Sequence, residues 1–251
     1  MSRKLTMVFI LGIIFYFGVF NFFGGTNEAY AATNVWAEKS KVEFGESIKV
    51  HYNFDDREHA VKINIFRNGN MIDTRFNFNT SISNILSYSS YNEEGTYKFE
   101  IIPLDVSGYS EQVTVKVFKH RVIFIPGIMG SELYSGSTKL WIPEGNPWTK
   151  IPRLEMDTNG VSKDRSIRAG APEDEFYKTM HDYLNKNFFV IDFGYDWRMG
   201  ANENAKLLKD KVSAAKASSP DSKIYLVAHS MGGIIATEYI NLGNGEMLIN
   251  L

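Results

Sequence analysis

The chain of 251 residues contains no cysteine, which excludes disulfide staples, thiol catalysis and thiolate metal sites. It has no excess of positive charge either, with 27 basic against 29 acidic residues, so composition gives no electrostatic case for nucleic acid. Apart from one stretch near the amino terminus, it lacks any apolar run long enough to cross a bilayer. The fourth deficiency is local. Only 21 residues follow Ser230, and none of them is His or Asp.

The single long apolar run lies between Met7 and Phe20, behind Arg3 and Lys4 and ahead of the small residues of Ala29-Tyr30-Ala31. A basic start, an apolar middle and a small-residue cleavage site make a secretory signal, with cleavage expected after Ala31. An uncleaved anchor is the alternative, but the run is short for a bilayer span of ~20 residues. The expected location is therefore secreted or cell-surface. Removing residues 1–31 takes away Arg3, Lys4 and Glu28 and leaves 25 basic and 28 acidic residues.

Residues 32–119 read as short strands divided by turns. Ile48, Val50, Tyr52 and Phe54 alternate with polar neighbours, as do Val61, Ile63 and Ile65, then Tyr97, Phe99 and Ile101, then Val113, Val115 and Val117. Asn68-Gly69 supplies the positive φ of a tight hairpin. With weaker strands near Val35-Trp36 and Phe76-Phe78 the count approaches the seven of an immunoglobulin-like β-sandwich. Glu94-Gly95-Thr96-Tyr97 resembles the approach to a tyrosine-corner strand in such domains. Such a sandwich serves either as a spacer or as an adhesion or carbohydrate-binding module, and strands alone do not choose between them. His51 and His59 have no metal-ligand spacing to another histidine.

Residues 120–251 change rhythm. Val122-Ile123-Phe124-Ile125 is an apolar strand running into Pro126-Gly127-Ile128-Met129-Gly130-Ser131. Phe176, Tyr177, Met180, Tyr183 and Leu184 recur at helical spacing behind Pro172 and the acidic Glu173, Asp174 and Glu175, which suit a helix start. That helix is expected to face the core. Phe188-Phe189-Val190-Ile191 reads as a buried strand, and Ala205, Leu208, Val212 and Ala215 as a second amphipathic helix. Strand and helix in alternation predict a parallel α/β sheet.

The last strand, Ile224-Tyr225-Leu226-Val227, ends in Ala228-His229-Ser230-Met231-Gly232-Gly233. A strand that meets a helix through a serine between small residues is the nucleophile elbow of an α/β-hydrolase, because Gly232 removes the Cβ that would block the turn. Ser230 is the expected nucleophile. Backbone N–H groups of Ile128 and Met231 are the expected oxyanion donors, one from the glycine-bearing loop and one from the residue after the serine. The turn is expected to send the His229 side chain away from the serine hydroxyl to pack, and His181 to be exposed. Glu238 and Glu246 are the downstream carboxylates, and no triad acid or base is assigned. No metal or cofactor is expected.

Four blocks, Ile125 to Ser131, Leu140-Trp141, Gly194-Tyr195-Asp196-Trp197-Arg198 and Ala228 to Gly233, occur in an order similar to that of the lecithin:cholesterol acyltransferase family and related bacterial lipases. The resemblance covers about residues 121–241. It implies hydrolysis or transfer of fatty acyl groups of lipid-like esters through a Ser-Asp-His triad, and it transfers Ser230, Ile128 and Met231 but no acid and no base. For Tyr195 to Arg198 two roles stay open: acyl contact or lid, or an Asp196–Arg198 pair that holds the loop while Trp197 packs. The fold expected is α+β and multidomain, a sandwich followed by an incomplete α/β-hydrolase domain. The polypeptide as it stands is expected to be inactive, the amino-terminal piece of a longer lipase. The competing reading is a non-catalytic surface protein with a vestigial hydrolase portion.

Overall fold

The computed structural model describes residues 33–54, 58–78, 83–89, 93–143 and 145–244. The signal-like segment and Glu246 lie outside them. The chain is mixed α+β with most of its regular structure in sheets.

Eight strands build the front part: β1 (Thr33–Ala37), β2 (Lys41–Glu43), β3 (Ile48–Phe54), β4 (Val61–Arg67), β5 (Asn70–Asn77), β6 (Ser83–Tyr88), β7 (Gly95–Pro103) and β8 (Glu111–Phe118). They form a three-stranded sheet ordered β1-β3-β6 and a five-stranded sheet ordered β2-β8-β7-β4-β5. Period-two patterning decides which face is buried: in β3, Ile48, Val50, Tyr52 and Phe54 are buried while the residues between them are not. The two inner faces share one core, with Tyr88 packed edge-on against Phe99 at 5.5 Å between ring centres. Asn68 and Gly69 have φ of 48° and 87°, the backbone that a two-residue hairpin requires between β4 and β5. The Tyr97 hydroxyl donates to the carbonyl of Glu93 at 2.8 Å, a tie back to upstream backbone of the tyrosine-corner kind. Strands β2 and β6 were not expected from the sequence.

From His120 onward the chain has its own apolar clusters. Strand β9 (Arg121–Ile125) is buried along its whole length and lies between β13 (Phe189–Asp192) and β14 (Ile224–Ala228), parallel to both. Helices cover both faces, as a parallel sheet requires. Helix α2 (Asp174–Leu184) packs Tyr177 and Leu184 on Val122 and Phe124, and helices α3 (Ala201–Ser218) and α4 (Met231–Tyr239) pack on Ile123 and Ile125 from the other side.

Between β9 and α2 stands an antiparallel sheet that the sequence reading missed. It comprises β10 (Ser131–Ser135), β11 (Thr138–Trp141) and β12 (Ile167–Pro172), in the order β11-β10-β12. A four-residue helix, α1 (Pro147–Lys150), capped by the Asn146 side chain, lies in the connection from β11 to β12.

Polar contacts join the two parts. Lys41 and Lys116 both bind Asp221, at 2.6 and 3.0 Å. Ser222 donates to the Lys119 carbonyl, and the Lys223 N–H donates to His120 Nδ1. Arg121 binds both carboxylate oxygens of Glu94, at 2.7 and 3.2 Å.

Candidate active site

Two segments at the carboxyl end of the parallel sheet meet here. The first is the turn from β14 into α4. Ser230 occupies it with φ +52° and ψ −120°, backbone that L-residues rarely adopt. Its position is fixed on both sides: the His229 N–H donates to the Ile125 carbonyl, and the Gly233 N–H donates to the Ser230 carbonyl. A Cβ on Gly232 would stand 2.5 Å from the Ile125 oxygen and 2.6 Å from the Pro126 oxygen, so the helix start can approach β9 only as glycine. Ser230 is exposed, and its hydroxyl makes no hydrogen bond among the described residues.

The second segment is the loop after β9. Gly127 packs directly on the elbow, where a Cβ at this position would lie 3.1 Å from Ser230 Cβ and 3.0 Å from His229 Nδ1. Met129 follows with φ +60°, and the Gly130 N–H closes the loop on the Gly127 carbonyl at 3.0 Å. Ile128 therefore sits in a tight turn beside the serine. Its N–H is not spent on a hydrogen bond among the described residues, and neither is that of Met231, which as the first helical residue has no intrahelical acceptor. The three residues singled out from the sequence, Ser230, Ile128 and Met231, thus come from two segments in contact.

Aromatic side chains hold the loop in place. The Tyr177 hydroxyl accepts from the Gly127 N–H at 2.9 Å, and the Tyr195 hydroxyl donates to the Pro126 carbonyl at 2.9 Å. Trp141 Nε1 donates to the Met129 carbonyl at 2.7 Å, and Trp197 Nε1 to the Ser131 carbonyl at 3.1 Å. Burial pushes the Tyr195 phenol well above its ordinary value, so it stays protonated and able to donate. Asp196 and Arg198 form a bidentate pair at 2.9 and 2.6 Å with little exposure on either side chain, and Arg198 also donates to the Leu154 carbonyl. Of the two roles left open for this block, the loop-holding one matches these bonds.

Four expectations need correction. Helix α2 does not turn all its apolar residues inward: Phe176 and Met180 are 56% and 46% exposed, and Tyr183 is exposed as well. Phe176 and Met180 instead border a cleft of about 600 Å³ together with Ile128, Met129 and Trp141. His181 is half-buried, not exposed; its ring stands edge-on to Phe124, and its Nε2 lies 3.0 Å from an Asp192 oxygen without making a hydrogen bond. Burial raises the Asp192 carboxyl, and the His181 charge opposes that rise. His229 is not packed away: it is exposed, bonds Tyr177 through Nδ1 at 3.1 Å and lines the cleft. Glu173 departs from the dipole role as well, since its buried carboxylate accepts from Lys139 and from the Ile142 N–H. The helical spacing of Tyr177 marks a core position and carries no sign of its hydrogen bonds.

Among the described residues no group of three or more His, Asp or Glu side chains is arranged to hold a metal, and no helix is long and apolar enough to cross a membrane.

Residues 174–247 match the family model described as Lecithin:cholesterol acyltransferase. A Saccharomyces cerevisiae protein, Uncharacterized protein YJR098C, is 32% identical over 129 residues, which is 46% of this chain and 20% of that protein. The chain thus spans about a fifth of the length of this curated relative. Among solved structures, the human B7-H4 IgV-like domain is similar at 15% identity over 34% of this chain and 95% of that one, with a TM-score of 0.23. The CARDB domain of the PF1109 protein from Pyrococcus furiosus aligns at 13% identity over 36% of this chain and 90% of that one, with a TM-score of 0.25. Chitinase ChiW from Paenibacillus sp. aligns over 89% of this chain and 23% of its own length, at 13% identity and a TM-score of 0.33.

Proposed function

We infer that residues 120–251 carry the nucleophile half of an α/β-hydrolase site that hydrolyses or transfers the acyl group of lipid-like esters. The observation that carries this reading is Ser230, held at positive φ between a parallel strand and a helix with its hydroxyl uncommitted. The match of residues 174–247 to an acyltransferase family model supports it. So does the apolar rim formed by Ile128, Met129, Phe176 and Met180.

In this reading Ser230 Oγ attacks the ester carbonyl, and the carbonyl carbon becomes tetrahedral as its oxygen takes up negative charge. The N–H groups of Ile128 and Met231 receive that charge, one such donor being worth about 3 to 4 kcal/mol in comparable enzymes. The alcohol leaves, and water or a second alcohol releases the acyl group. A histidine and an acid are needed to move the serine proton, and none of the described residues is placed against Ser230 Oγ to do so. Their supply from outside the described residues belongs to the proposal. So do the immunoglobulin-like character of the sandwich at residues 32–119 and export of the protein with cleavage after Ala31.

The test is hydrolysis of p-nitrophenyl decanoate by the chain and by Ser230→Ala. With no histidine among the described residues placed against Ser230, the rate should be lower by about 10³ or more than that of a complete triad. With imidazole added to act as the base, the chain should exceed the alanine variant and be labelled at Ser230 by an alkyl fluorophosphonate. Equal rates together with no labelling would remove the enzymatic reading for this polypeptide and leave a binding role.

A further inference from the structure

The polar side chains that line the cleft beside Ser230 are those of Tyr177 and His229, in a wall otherwise made by Phe124, Trp141, Phe176 and their apolar neighbours. Hydrogen-bond accounting gives each of them a definite state. The Tyr177 oxygen accepts from the Gly127 N–H at 2.9 Å and lies 3.1 Å from His229 Nδ1. A phenol carries one proton, and Nδ1 is the one acceptor that the Tyr177 hydroxyl meets among the described residues. Donation from Tyr177 to a bare Nδ1 satisfies both groups, whereas an Nδ1–H would leave the phenol proton without an acceptor among the described residues. A neutral imidazole with a bare Nδ1 carries its proton on Nε2. His229 is exposed, and its Nε2 meets no acceptor among the described residues.

We propose that Tyr177 is a positioning residue that locks His229 as the Nε2–H tautomer, giving this apolar cleft one fixed hydrogen-bond donor for an oxygen of an acyl ligand. The same hydroxyl ties the loop after β9 to the elbow, because its two partners belong one to each segment. The ligand class follows from the wall: an aliphatic chain with a single acceptor group, a fatty acyl ester or carboxylate. This deepens the hydrolase reading and rests on it for the orientation of the ester, but the tautomer and the donor do not require turnover.

The experiment uses the full chain at about pH 8, where an ordinary imidazole is neutral. Nitrogen-15 spectra of the His229 ring should show Nδ1 unprotonated and Nε2 protonated, and Tyr177→Phe should give a mixture of the two tautomers. Decanoate, titrated by NMR, should bind about tenfold more weakly to His229→Ala, the factor that one hydrogen bond of ordinary net strength supplies. Decyltrimethylammonium has a similar chain and no acceptor, so its affinity should not change. Ester hydrolysis is read separately on the parent chain: its absence with these results intact overturns only the catalytic reading. An Nδ1–H signal in the parent chain overturns the tautomer lock. Equal decanoate affinity in the parent and His229→Ala overturns the donor, and both results stand even if Tyr177→Phe fails to fold.

Discussion

Ser230 holds φ +52° and ψ −120° with a Cβ attached, a conformation that costs on the order of 1–3 kcal/mol outside glycine. Replacing it separates backbone strain from hydroxyl chemistry. Ser230→Ala keeps the Cβ and Ser230→Gly removes it, so the glycine variant should be more stable than the alanine one by about 1 kcal/mol after its greater unfolded-state entropy is subtracted. Urea denaturation of the pair measures the difference, and equal midpoints would mean that the turn stores no strain. Two residues on, Gly232→Ala forces a methyl against two backbone carbonyls that belong to the central strand and its exit. A loss of about 1–3 kcal/mol is expected, read as a lower melting temperature. These positions were legible in the sequence because the constraint is local. A serine with Ala228 and Gly232 two positions to either side, after an apolar strand, has few other uses, whereas nothing near Tyr177 in the chain announces that its hydroxyl reaches Gly127 and His229.

At the scale of elements, the loop after β9 owes its shape to side chains from α2, β11 and the segment after β13. Asp196 is nearly buried, and Arg198 neutralises it with two hydrogen bonds. Arg198→Met should cost about 3 kcal/mol, since it leaves a buried carboxylate without its partner, and chemical denaturation checks it. Asp196→Asn combined with Arg198→Met should recover much of that loss. The neighbouring ammonium of Lys139 obeys the same logic. Burial lowers its pKa, but Glu132 and Glu173 together raise it above the ordinary value, so the group stays charged. Length did not hide strands β10, β11 and β12, since β9, β13 and β14 are as short and were legible from their apolar runs. Ser131 and Ser135 are their buried polar members, so period-two hydrophobicity is weak there. Helix α2 was found and its facing misjudged for a related reason. Spacing identifies an apolar stripe, but it does not say whether protein core or an open cleft receives it.

Across the whole molecule, two apolar cores meet through charged and polar groups at the boundary near His120. Glu94 is the instructive one. Burial alone raises its carboxyl, yet the Arg121 guanidinium and the Lys119 N–H outweigh that and hold it below the ordinary value of 4.5. A carboxyl with a lowered folded pKa binds fewer protons folded than unfolded, so its stabilisation is present above pH 4.5 and fades as pH falls through the folded value. Glu94→Gln should flatten this acid limb and leave stability near neutrality reduced and less dependent on pH below 4.5; thermal melts from pH 3 to 7 follow both. The division into a strand-rich front and an alternating back was readable from the period of the apolar residues, which changes at this boundary. The bonds across it were not, because each joins residues about 27 to 180 positions apart.

The turn that feeds β14 is gripped from the sandwich side: Lys41 and Lys116 hold Asp221, while Ser222 and Lys223 bond the linker at Lys119 and His120. A load applied to the amino-terminal part would enter the other part along the chain into β9 and, through this clasp, at the root of β14, the strand that leads to Ser230. Tethering the sandwich to a surface and pulling should shear this clasp before either core opens, and raised salt should soften it.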